Sequence, residues 1–276
     1  MNATSAPDHL SPQHLAVSTS TLRLYSWNVN GIRATIKKGL WDWMMTESPD
    51  ILGLQETKIS SDQLTLDMTQ RLGYQSYWSH AEKKGYSGVA IYTKIPPINV
   101  TEGLGIERFD REGRVLVAEY DRFYLYVVYF PNGQRDAERL QYKLDFYQAF
   151  IDHANALQAT GKPVVFCGDV NTAHHPIDLA RPKANETTSG FLPIERAWMD
   201  RVVEAGYIDT FRHLNPTQTE AYSWWNMRAM ARERNVGWRI DYFFISPHLL
   251  PHLAEARIHP DVMGSDHCPV SLTLMF

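Results

Sequence analysis

The chain has 276 residues, enough for one large domain or two ordinary ones, and its 44% hydrophobic and 21% charged residues are typical of a soluble globular protein. The formal net charge of −4 gives no overall sign of a polyanion-binding protein, although a local basic surface is compatible with it. No apolar run is long enough to span a membrane, and the two cysteines, Cys167 and Cys268, imply no disulfide framework, so we expect a soluble protein in a reducing, cytoplasmic compartment.

The first segment of the chain is predicted to be a tail. Residues 1–20 are rich in Ser, Thr, Pro, Ala and His and contain no Lys or Arg. They lack both the basic start and apolar stretch of a secretory signal and the arginines of a transit peptide, so we predict a disordered N-terminal tail. Because no repeat, low-complexity block or linker follows, we interpret residues 21–276 as one domain.

The rest of the chain interleaves short apolar runs with helical patterns. We predict strands at 22–27, 51–54, 88–93, 114–120, 123–130, 164–167, 240–245 and 270–274. We predict helices at 36–47, 140–159 and 193–205. Strands and helices alternate irregularly and some neighbouring strands are spaced as hairpins, so the sequence favours a mixed α/β sandwich over a regular doubly wound fold.

Polar side chains recur at the ends of these strands. They are Asn28, Asn30, Glu56, Tyr129, Asn132, Asp169, Asn171, Asp241, Asp266 and His267. In Gly168-Asp169-Val170-Asn171, an extended backbone would project Asp169 and Asn171 to the same side, which suggests a polar site. The alternative is an ordinary Asx turn, in which each side chain bonds its own backbone. The recurrence of polar residues at strand ends weakens the Asx-turn alternative.

The chemical types of these side chains indicate a reaction class. Carboxylates and amides without cysteine ligands suit a hard ion such as Mg²⁺, which prefers oxygen. His267 beside Asp266 could contact a phosphate or act as a general acid or base. The set is typical of a metal-assisted phosphate-ester hydrolase, in which the ion offsets charge that develops on the transferring group.

Six segments in order resemble the motifs of the exonuclease III family of apurinic/apyrimidinic (AP) endonucleases, within the endonuclease/exonuclease/phosphatase superfamily. They are Ser26-Trp27-Asn28-Val29-Asn30-Gly31, Leu54-Gln55-Glu56-Thr57-Lys58, Gly85-Tyr86-Ser87-Gly88-Val89, Cys167-Gly168-Asp169-Val170-Asn171, Asn235-Val236-Gly237-Trp238-Arg239-Ile240-Asp241-Tyr242 and Gly264-Ser265-Asp266-His267-Cys268-Pro269. The resemblance covers residues 22–276. The Gly-Asp-x-Asn and Ser-Asp-His pieces alone also occur in DNase I and the inositol polyphosphate phosphatases.

The resemblance implies a four-layered α/β sandwich of the DNase I kind, with two packed mixed β-sheets flanked by helices. It implies a base excision repair enzyme that uses Mg²⁺, with Mn²⁺ as a substitute, to hydrolyse double-stranded DNA on the 5′ side of an abasic site. The product is a 3′-hydroxyl, and 3′–5′ exonuclease and 3′-end repair activity on 3′-blocked DNA are expected as well. We expect a monomer that acts at the nucleoid, without a membrane partner. The alternatives are a less selective nuclease, a phosphoinositide phosphatase, or a non-catalytic DNA-binding protein on the same fold.

Carried over position by position, the resemblance makes Glu56 the main metal ligand, with Asn30 and Asp266 close to the ion or its waters. Asp169 would position or deprotonate the attacking water with the help of Asn28. Asn30 stands where animal members have aspartate and bacterial members have asparagine, which could weaken metal binding.

The same resemblance gives the phosphate contacts. Asn171, His267 and Tyr129 would hold the scissile phosphate. Asp241 would orient His267, and Asn132 would support the phosphate pocket.

Five further positions concern the DNA substrate. Trp224, Trp238 and Ile240 match an apolar pocket for a flipped-out, base-less sugar, and core packing is the alternative for each. Arg135 matches an arginine that enters the groove. Arg228 replaces a methionine wedge of the animal enzymes.

Other basic residues lie near the motifs in sequence. They are Arg33, Lys37, Lys38, Lys58, Lys83, Lys84, Arg181, Lys183, Arg232, Arg234 and Arg239. We expect some of them, Lys58 and Arg33 in particular, to bind DNA phosphates, and the others to be solvated surface charges.

Overall fold

The computed structural model describes residues 20–71 and 73–276, so the predicted tail lies outside the described residues apart from Ser20. Six strands form the first sheet: β1 (Thr21–Asn28), β2 (Ile51–Gln55), β3 (Gln75–Ser79), β4 (Val89–Thr93), β13 (Leu253–Ile258) and β14 (Val270–Met275). Six strands form the second sheet: β5 (Asn99–Glu102), β6 (Val115–Glu119), β7 (Tyr124–Tyr129), β8 (Val164–Asp169), β9 (Ile208–Asp209) and β12 (Asp241–Ile245). A short hairpin pairs β10 (Trp224–Trp225) with β11 (Gly237–Trp238).

The apolar runs of the central strands are continuous because both faces of each sheet are covered. In β7, Leu125 and Val127 pack in the core between the two sheets. Tyr126 and Val128, which alternate with them, pack instead in a second core against helices. Side chains of a strand point alternately to opposite faces, so one unbroken apolar run supplies two cores.

In residues 20–71 and 73–276, eight α-helices lie outside the sheets. They are α1 (Ile32–Lys37), α2 (Leu40–Glu47), α3 (Leu66–Thr69), α4 (Glu107–Asp110), α5 (Ala137–Gln158), α6 (Pro182–Asn185), α7 (Pro193–Glu204) and α8 (Thr210–Leu214). Apolar side chains of α5 and α7 cover the second sheet, and those of α1 and α2 cover the first. The order of layers is therefore helices, sheet, sheet, helices, which confirms the predicted α/β sandwich.

The two sheets approach each other closely at Gly53 of β2. A Cβ atom at this position would lie 2.7 Å from Cγ2 of Val127 on β7, closer than real Cβ contacts allow. The absence of a side chain at Gly53 thus permits the contact between the sheets.

Several sequence-based boundaries need correction. The single helix predicted at 36–47 is wrong, because Gly39 adopts a φ of 99° between α1 and α2, a conformation outside the α-helical region. The long helix α5 begins at Ala137 rather than at residue 140, since Asp136 caps it by accepting a hydrogen bond from the Arg139 amide. The sheet-edge strands β3, β5, β9 and β13 and the hairpin strands β10 and β11 were missing from the prediction. In the described residues, every helix is too short or too polar to cross a membrane.

Each sheet has a parallel pair at its centre, β1 with β2 and β7 with β8. In these pairs the terminal residue Asn28 lies beside Gln55, and Tyr129 lies beside Asp169. The antiparallel strand β12 starts at the same end, where Asp241 pairs with Asp169. This register brings the polar residues at the strand ends to one edge of the sandwich.

Candidate active site

The strand alternation aims four polar side chains into the space between the sheets. In each of four strands, every second residue points into the core between the sheets. Most of these residues are apolar, but the one at the strand end is polar: Asn28 in β1, Tyr129 in β7, Asp169 in β8 and Asp241 in β12. Because each stands at a strand end, its side chain lies at the mouth of that core rather than within it. The predicted strand-end site is therefore assembled from both sheets.

Asx turns shape two of these strand ends. The Asn30 amide donates to Oδ1 of Asn28 at 3.0 Å, and the Asn171 amide donates to Oδ1 of Asp169 at 2.8 Å. Asn171 has a φ of 55°, so the extended backbone expected after Asp169 is wrong. The Asx turn and the functional site are compatible, because the turn itself fixes the side chain that faces the cavity.

Asn28 joins the two predicted centres. Its Nδ2 atom donates to Oε1 of Glu56 at 2.8 Å and to Oδ2 of Asp169 at 2.9 Å. Asn28 is fully buried, and its Oδ1 atom is occupied by the Asx turn, so its orientation is fixed. The Asn28 amide thus forms hydrogen bonds to both Glu56, the metal-ligand candidate, and Asp169, the water-activating candidate.

His267 lies between two aspartates. Its Nδ1 atom is 2.9 Å from Oδ2 of Asp241, and its Nε2 atom is 3.9 Å from Oδ2 of Asp169. Burial alone would lower the pKa of His267, but the charges of Asp241 and Asp169 raise this pKa to about 10. Burial raises the pKa of Asp169 to about 7, with Asp241 and Glu56 adding to the effect and His267 opposing it. The site therefore favours an imidazolium at His267.

Side-chain oxygen atoms of Glu56 and Asn30 both contact the ammonium group of Lys58. Nζ of Lys58 lies 2.8 Å from Oε2 of Glu56 and also donates to Oδ1 of Asn30. Nδ2 of Asn30 donates to Oδ1 of Asp266 at 2.9 Å. Although burial raises the pKa of Glu56, Lys58 and Asn28 lower it overall, so the carboxylate is ionised.

Ligand atoms of Glu56, Asp169 and His267 also lie within 4.8 Å of one another. The donor set is therefore rich in anionic oxygen and lacks sulfur among these residues, which fits a hard divalent cation. Lys58, predicted to bind DNA, lies inside this site.

The predicted phosphate-binding residues lie around Asp169. Nδ2 of Asn171 donates to the carbonyl of Phe130 at 2.9 Å, and its Oδ1 accepts from Nδ2 of Asn132 at 3.1 Å. Burial and the negative charge of Glu56 raise the pKa of Tyr129, which keeps its hydroxyl protonated as a donor. These contacts hold the Asn171 amide at the cavity, as the proposed phosphate contact requires.

One cavity of about 720 Å³ is lined by seven of these residues, which are Glu56, Tyr129, Asn132, Asp169, Asn171, Asp266 and His267. Asn28, Asn30, Lys58 and Asp241 lie outside its lining. One wall is formed by Trp224, Trp238 and Ile240, with the two indole rings edge to face at 6.3 Å. The Trp224 indole also donates to Oδ2 of Asp266 at 3.1 Å. The apolar wall thus directly adjoins the polar site, and core packing explains only part of its burial.

The arginines named above divide into three groups. Arg228 lines the cavity together with Arg181 and Arg234. Arg135 and Arg33 are exposed outside the cavity lining, and Arg135 pairs with the neighbouring Asp136 at 2.7 Å.

In the third group the expectation of surface charge or phosphate binding is wrong. Arg239 is buried and bonds Asp178 and Asp209, with its Nε 2.8 Å from Asp178 Oδ1. Arg232 donates to backbone carbonyls of Ser265 and Val262. Both side chains stabilise the fold around the site.

Sequence analysis missed two buried groups that support the site. Lys143 and Glu195 form a fully buried ion pair at 2.6 Å. The signal was present, because Lys143 begins the buried stripe of α5 that continues through Tyr147, Phe150 and Ala154, where an apolar residue is expected.

The second group surrounds Tyr129. The guanidinium of Arg114 stacks on the Tyr129 ring at 4.6 Å and donates to its carbonyl oxygen at 2.8 Å. Glu112 pairs with both Arg114 and Arg139, while Tyr86 accepts hydrogen bonds from the two arginines. Arg114 was assigned only to the start of a strand, and its spacing alone gave no sign of this role.

The model of the Endonuclease/Exonuclease/phosphatase family matches residues 25–267, a range that contains every residue of the site described above. The chain belongs to this family. The exodeoxyribonuclease of Bacillus subtilis (strain 168) is 46% identical over 254 residues, which cover 92% of this chain and 99% of that protein. The DNA repair nuclease APEX1 of Danio rerio is 46% identical over 257 residues, which cover 92% of this chain and 83% of that protein.

Comparison of structures gives the same family. The crystal structure of the AP endonuclease LMAP from Leishmania major superposes with a TM-score of 0.85 and 31% identity, covering 93% of this chain and 88% of that one. The predicted family, fold class and enzyme class are thereby confirmed, and this member of the Endonuclease/Exonuclease/phosphatase family is a nuclease.

Proposed function

We propose that the protein is an AP endonuclease of base excision repair, which hydrolyses the phosphodiester on the 5′ side of an abasic site in double-stranded DNA and leaves a 3′-hydroxyl. The observation that carries the proposal is the bridge from Asn28 to Glu56 and Asp169, with His267 3.9 Å from Asp169. One cavity thus holds a metal-binding carboxylate, a water-activating carboxylate and a cationic donor.

Each residue has a part in the reaction that follows from its contacts. Asp169, whose pKa burial raises towards neutrality, takes a proton from water as the water oxygen bonds to phosphorus and the P–O3′ bond breaks. The leaving O3′ keeps the bonding electron pair and takes a proton from solvent, which gives the 3′-hydroxyl. His267 donates a hydrogen bond to a phosphate oxygen, and Asp241 holds the imidazolium in place. Asn171 donates to the phosphate by redirecting the Nδ2 proton that bonds Oδ2 of Asp169 at 3.2 Å, while its other proton stays on the Phe130 carbonyl. Neutral Tyr129 supplies one further donor.

Glu56, with Asn30 and Asp266, is proposed to hold Mg²⁺, for which Mn²⁺ should substitute. When bound, the ion supplies positive charge that offsets the charge developing on the phosphate and on the leaving oxygen. The support for this assignment is the oxygen-rich, ionised donor set, whose negative charge also attracts the Lys58 ammonium.

Selectivity for an abasic site is proposed to come from the wall formed by Trp224, Trp238 and Ile240. A flipped sugar without a base is small and largely apolar, and this wall is apolar on one side and adjoins the phosphate-binding groups on the other. Arg228 at the cavity rim is proposed to contact the DNA, and Arg135 and Arg33 to contact it outside the cavity. A relative of this chain is an exodeoxyribonuclease, so the proposal includes 3′–5′ exonuclease and 3′-end repair activity.

We treat residues 21–276 as one catalytic domain that acts as a monomer on chromosomal DNA at the nucleoid. The support is that every assigned group, from Asn28 to His267, comes from a single chain.

The test is a cleavage assay on abasic, uracil-containing, nicked and intact duplexes of one sequence, with and without Mg²⁺. We expect fast Mg²⁺-dependent incision only 5′ to the abasic site and slower trimming at the nick. Equal cleavage of the intact duplex would replace the proposal with a less selective nuclease. Faster hydrolysis of an inositol phosphate in a parallel assay would replace it with a phosphatase.

A further inference from the structure

The loop that follows Asp169 is held from behind by buried side chains. Three successive carbonyl oxygens of the loop each accept a hydrogen bond from a different side chain. The pairs are Tyr147 OH with Val170 O at 3.0 Å, Lys143 Nζ with Asn171 O at 2.8 Å, and Tyr242 OH with Thr172 O at 2.8 Å. The loop therefore has little freedom, although it carries a residue in the left-handed conformation, Asn171.

Lys143 is the charged member of this set, and it is fully buried. Its ammonium group bonds the Asn171 carbonyl, Thr172 Oγ1 at 2.9 Å and Glu195 Oε1 at 2.6 Å. An ammonium group has three protons, so every donor of Lys143 is used.

Glu195 connects Lys143 to a different part of the cavity. Its Oε1 also accepts from Ser189 Oγ at 2.8 Å, and its Oε2 accepts from the amides of Gly190 at 2.5 Å and Leu192 at 3.1 Å. Ser189 and Gly190 line the cavity.

The same loop meets the apolar wall. A Cβ atom on Gly190 would lie 3.1 Å from the ring of Trp238 and 3.3 Å from the Asn171 carbonyl oxygen. The ion pair between Lys143 and Glu195 thus joins the loop of Asn171 to the loop that supports Trp238.

Stability alone does not account for this ion pair. Removing two charges from water is costly, and well-packed apolar residues of similar volume usually give equal or greater stability. A charged pair is favoured where its directional hydrogen bonds must fix several segments relative to one another. Lys143 and Glu195 do this for α5, α7 and two cavity loops.

We propose that Lys143 and Glu195 are positioning residues for DNA cleavage, because they set the distance between the phosphate contact at Asn171 and the sugar wall at Trp238. This inference rests on the proposed function for its substrate. It assigns a role in the rate of the chemical step, since misplacing a bound phosphate by about 1 Å can cost on the order of a hundredfold in rate.

The test uses two variants of the full chain with an abasic duplex and Mg²⁺. Lys143→Met with Glu195→Gln removes both charges together and leaves no unpaired ion. Glu195→Asp keeps the charge but shortens the side chain, which guards against a double variant that fails to fold. We expect kcat to fall at least about tenfold in the double variant and about threefold or more in Glu195→Asp, with duplex Kd changed less than about threefold.

Val202→Ala is the matched control, because Val202 is a fully buried residue of α7 outside the site. It should lower the melting temperature and leave kcat within about twofold of wild type. The inference is overturned if Glu195→Asp, or the folded double variant, keeps the kcat of this control. If the wild type leaves the abasic duplex uncut, the proposed function fails instead, and the same variants are compared on the DNA that the wild type does hydrolyse.

Discussion

His267 and Asp241 form a buried pair, with Nδ1 of the imidazole 2.9 Å from Oδ2 of the carboxylate. Because Asp241 engages Nδ1, the other ring nitrogen, Nε2, is directed towards Asp169 and the cavity. The pair therefore both fixes the ring and favours its positive charge, and each effect suits a donor to a phosphate oxygen.

Asp241→Asn should keep the ring oriented but weaken its charge, since an amide oxygen can still accept from Nδ1. Removing one preorganised donor outright costs about 10²- to 10³-fold in kcat, so we expect a loss of about tenfold to a hundredfold here. Single-turnover cleavage of an abasic duplex measures it. A rate equal to wild type would show that His267 is not assisted by Asp241.

Asp169→Asn should abolish proton acceptance, and it replaces Oδ2, which accepts from Nδ2 of Asn28, with an amide nitrogen that cannot accept this bond. The new amide oxygen can still accept from the Asn171 amide, which holds the turn. We expect the single-turnover rate to fall by about 10²- to 10⁴-fold, with duplex affinity within about threefold by fluorescence anisotropy. A single-turnover cleavage rate within tenfold of the wild-type rate would show that Asp169 is not the general base.

Asn30→Asp should strengthen metal binding. The substitution replaces the amide that donates to Asp266 with a second carboxylate, so the two repel each other until a cation binds. We expect a lower melting temperature in EDTA and a larger increase of the melting temperature when Mg²⁺ is added. The half-saturating Mg²⁺ concentration should fall by about tenfold, equivalent to about 1.4 kcal/mol of binding free energy. If Mg²⁺ raises the melting temperature of the variant by no more than that of the wild type, the ion does not bind next to Asn30.

The clustering of the candidate residues was predictable because each one lies at or near an end of a recognisable apolar strand. The end of an apolar run can be read in a single sequence, and alternation then tells which face a residue such as Asp169 takes. The left-handed turn at Asn171 could not be read in this way, because Asx turns and extended ends share the same residues.

The buried charges were harder to predict. Lys143 and Glu195 are 52 positions apart, and nothing local pairs them. Arg239 lies within a motif and resembles a DNA contact in sequence, yet its partner Asp209 is 30 positions away and the fold buries both. The pairing of charges depends on tertiary packing, whereas strand periodicity depends on the local chain.

Gly53→Ala should destabilise the contact between the sheets. The added Cβ would lie 2.7 Å from Cγ2 of Val127, a β-branched side chain with little rotamer freedom. We expect the free energy of unfolding in urea to fall by about 1–3 kcal/mol. Combining it with Val127→Ala should recover part of the loss relative to the sum of the single changes. If the free-energy changes of the two single variants simply add in the double variant, the strain does not arise from the contact with Val127.

Asp178 should contribute a stability that depends on acid pH. It is fully buried, and its Oδ1 accepts from Arg239 at 2.8 Å and from Arg212 at 2.6 Å. Burial raises the pKa of Asp178, but the charges of Arg239 and Arg212 outweigh this effect and lower the pKa to about 2. The contribution is therefore complete above the pKa of the unfolded chain, near 4, and is lost as pH falls through about 2.

Asp178→Asn should accordingly lower the free energy of unfolding at pH 7 by about 2 kcal/mol or more, and this deficit should shrink as pH falls from about 5 towards 2. Urea unfolding across this pH range measures both quantities. The exposed Asp121 supplies the control, since Asp121→Asn should change the free energy of unfolding by less than about 0.5 kcal/mol at every pH. A deficit for Asp178→Asn that stays constant down to pH 2 would mean that packing, and not ionisation, accounts for the effect of this residue.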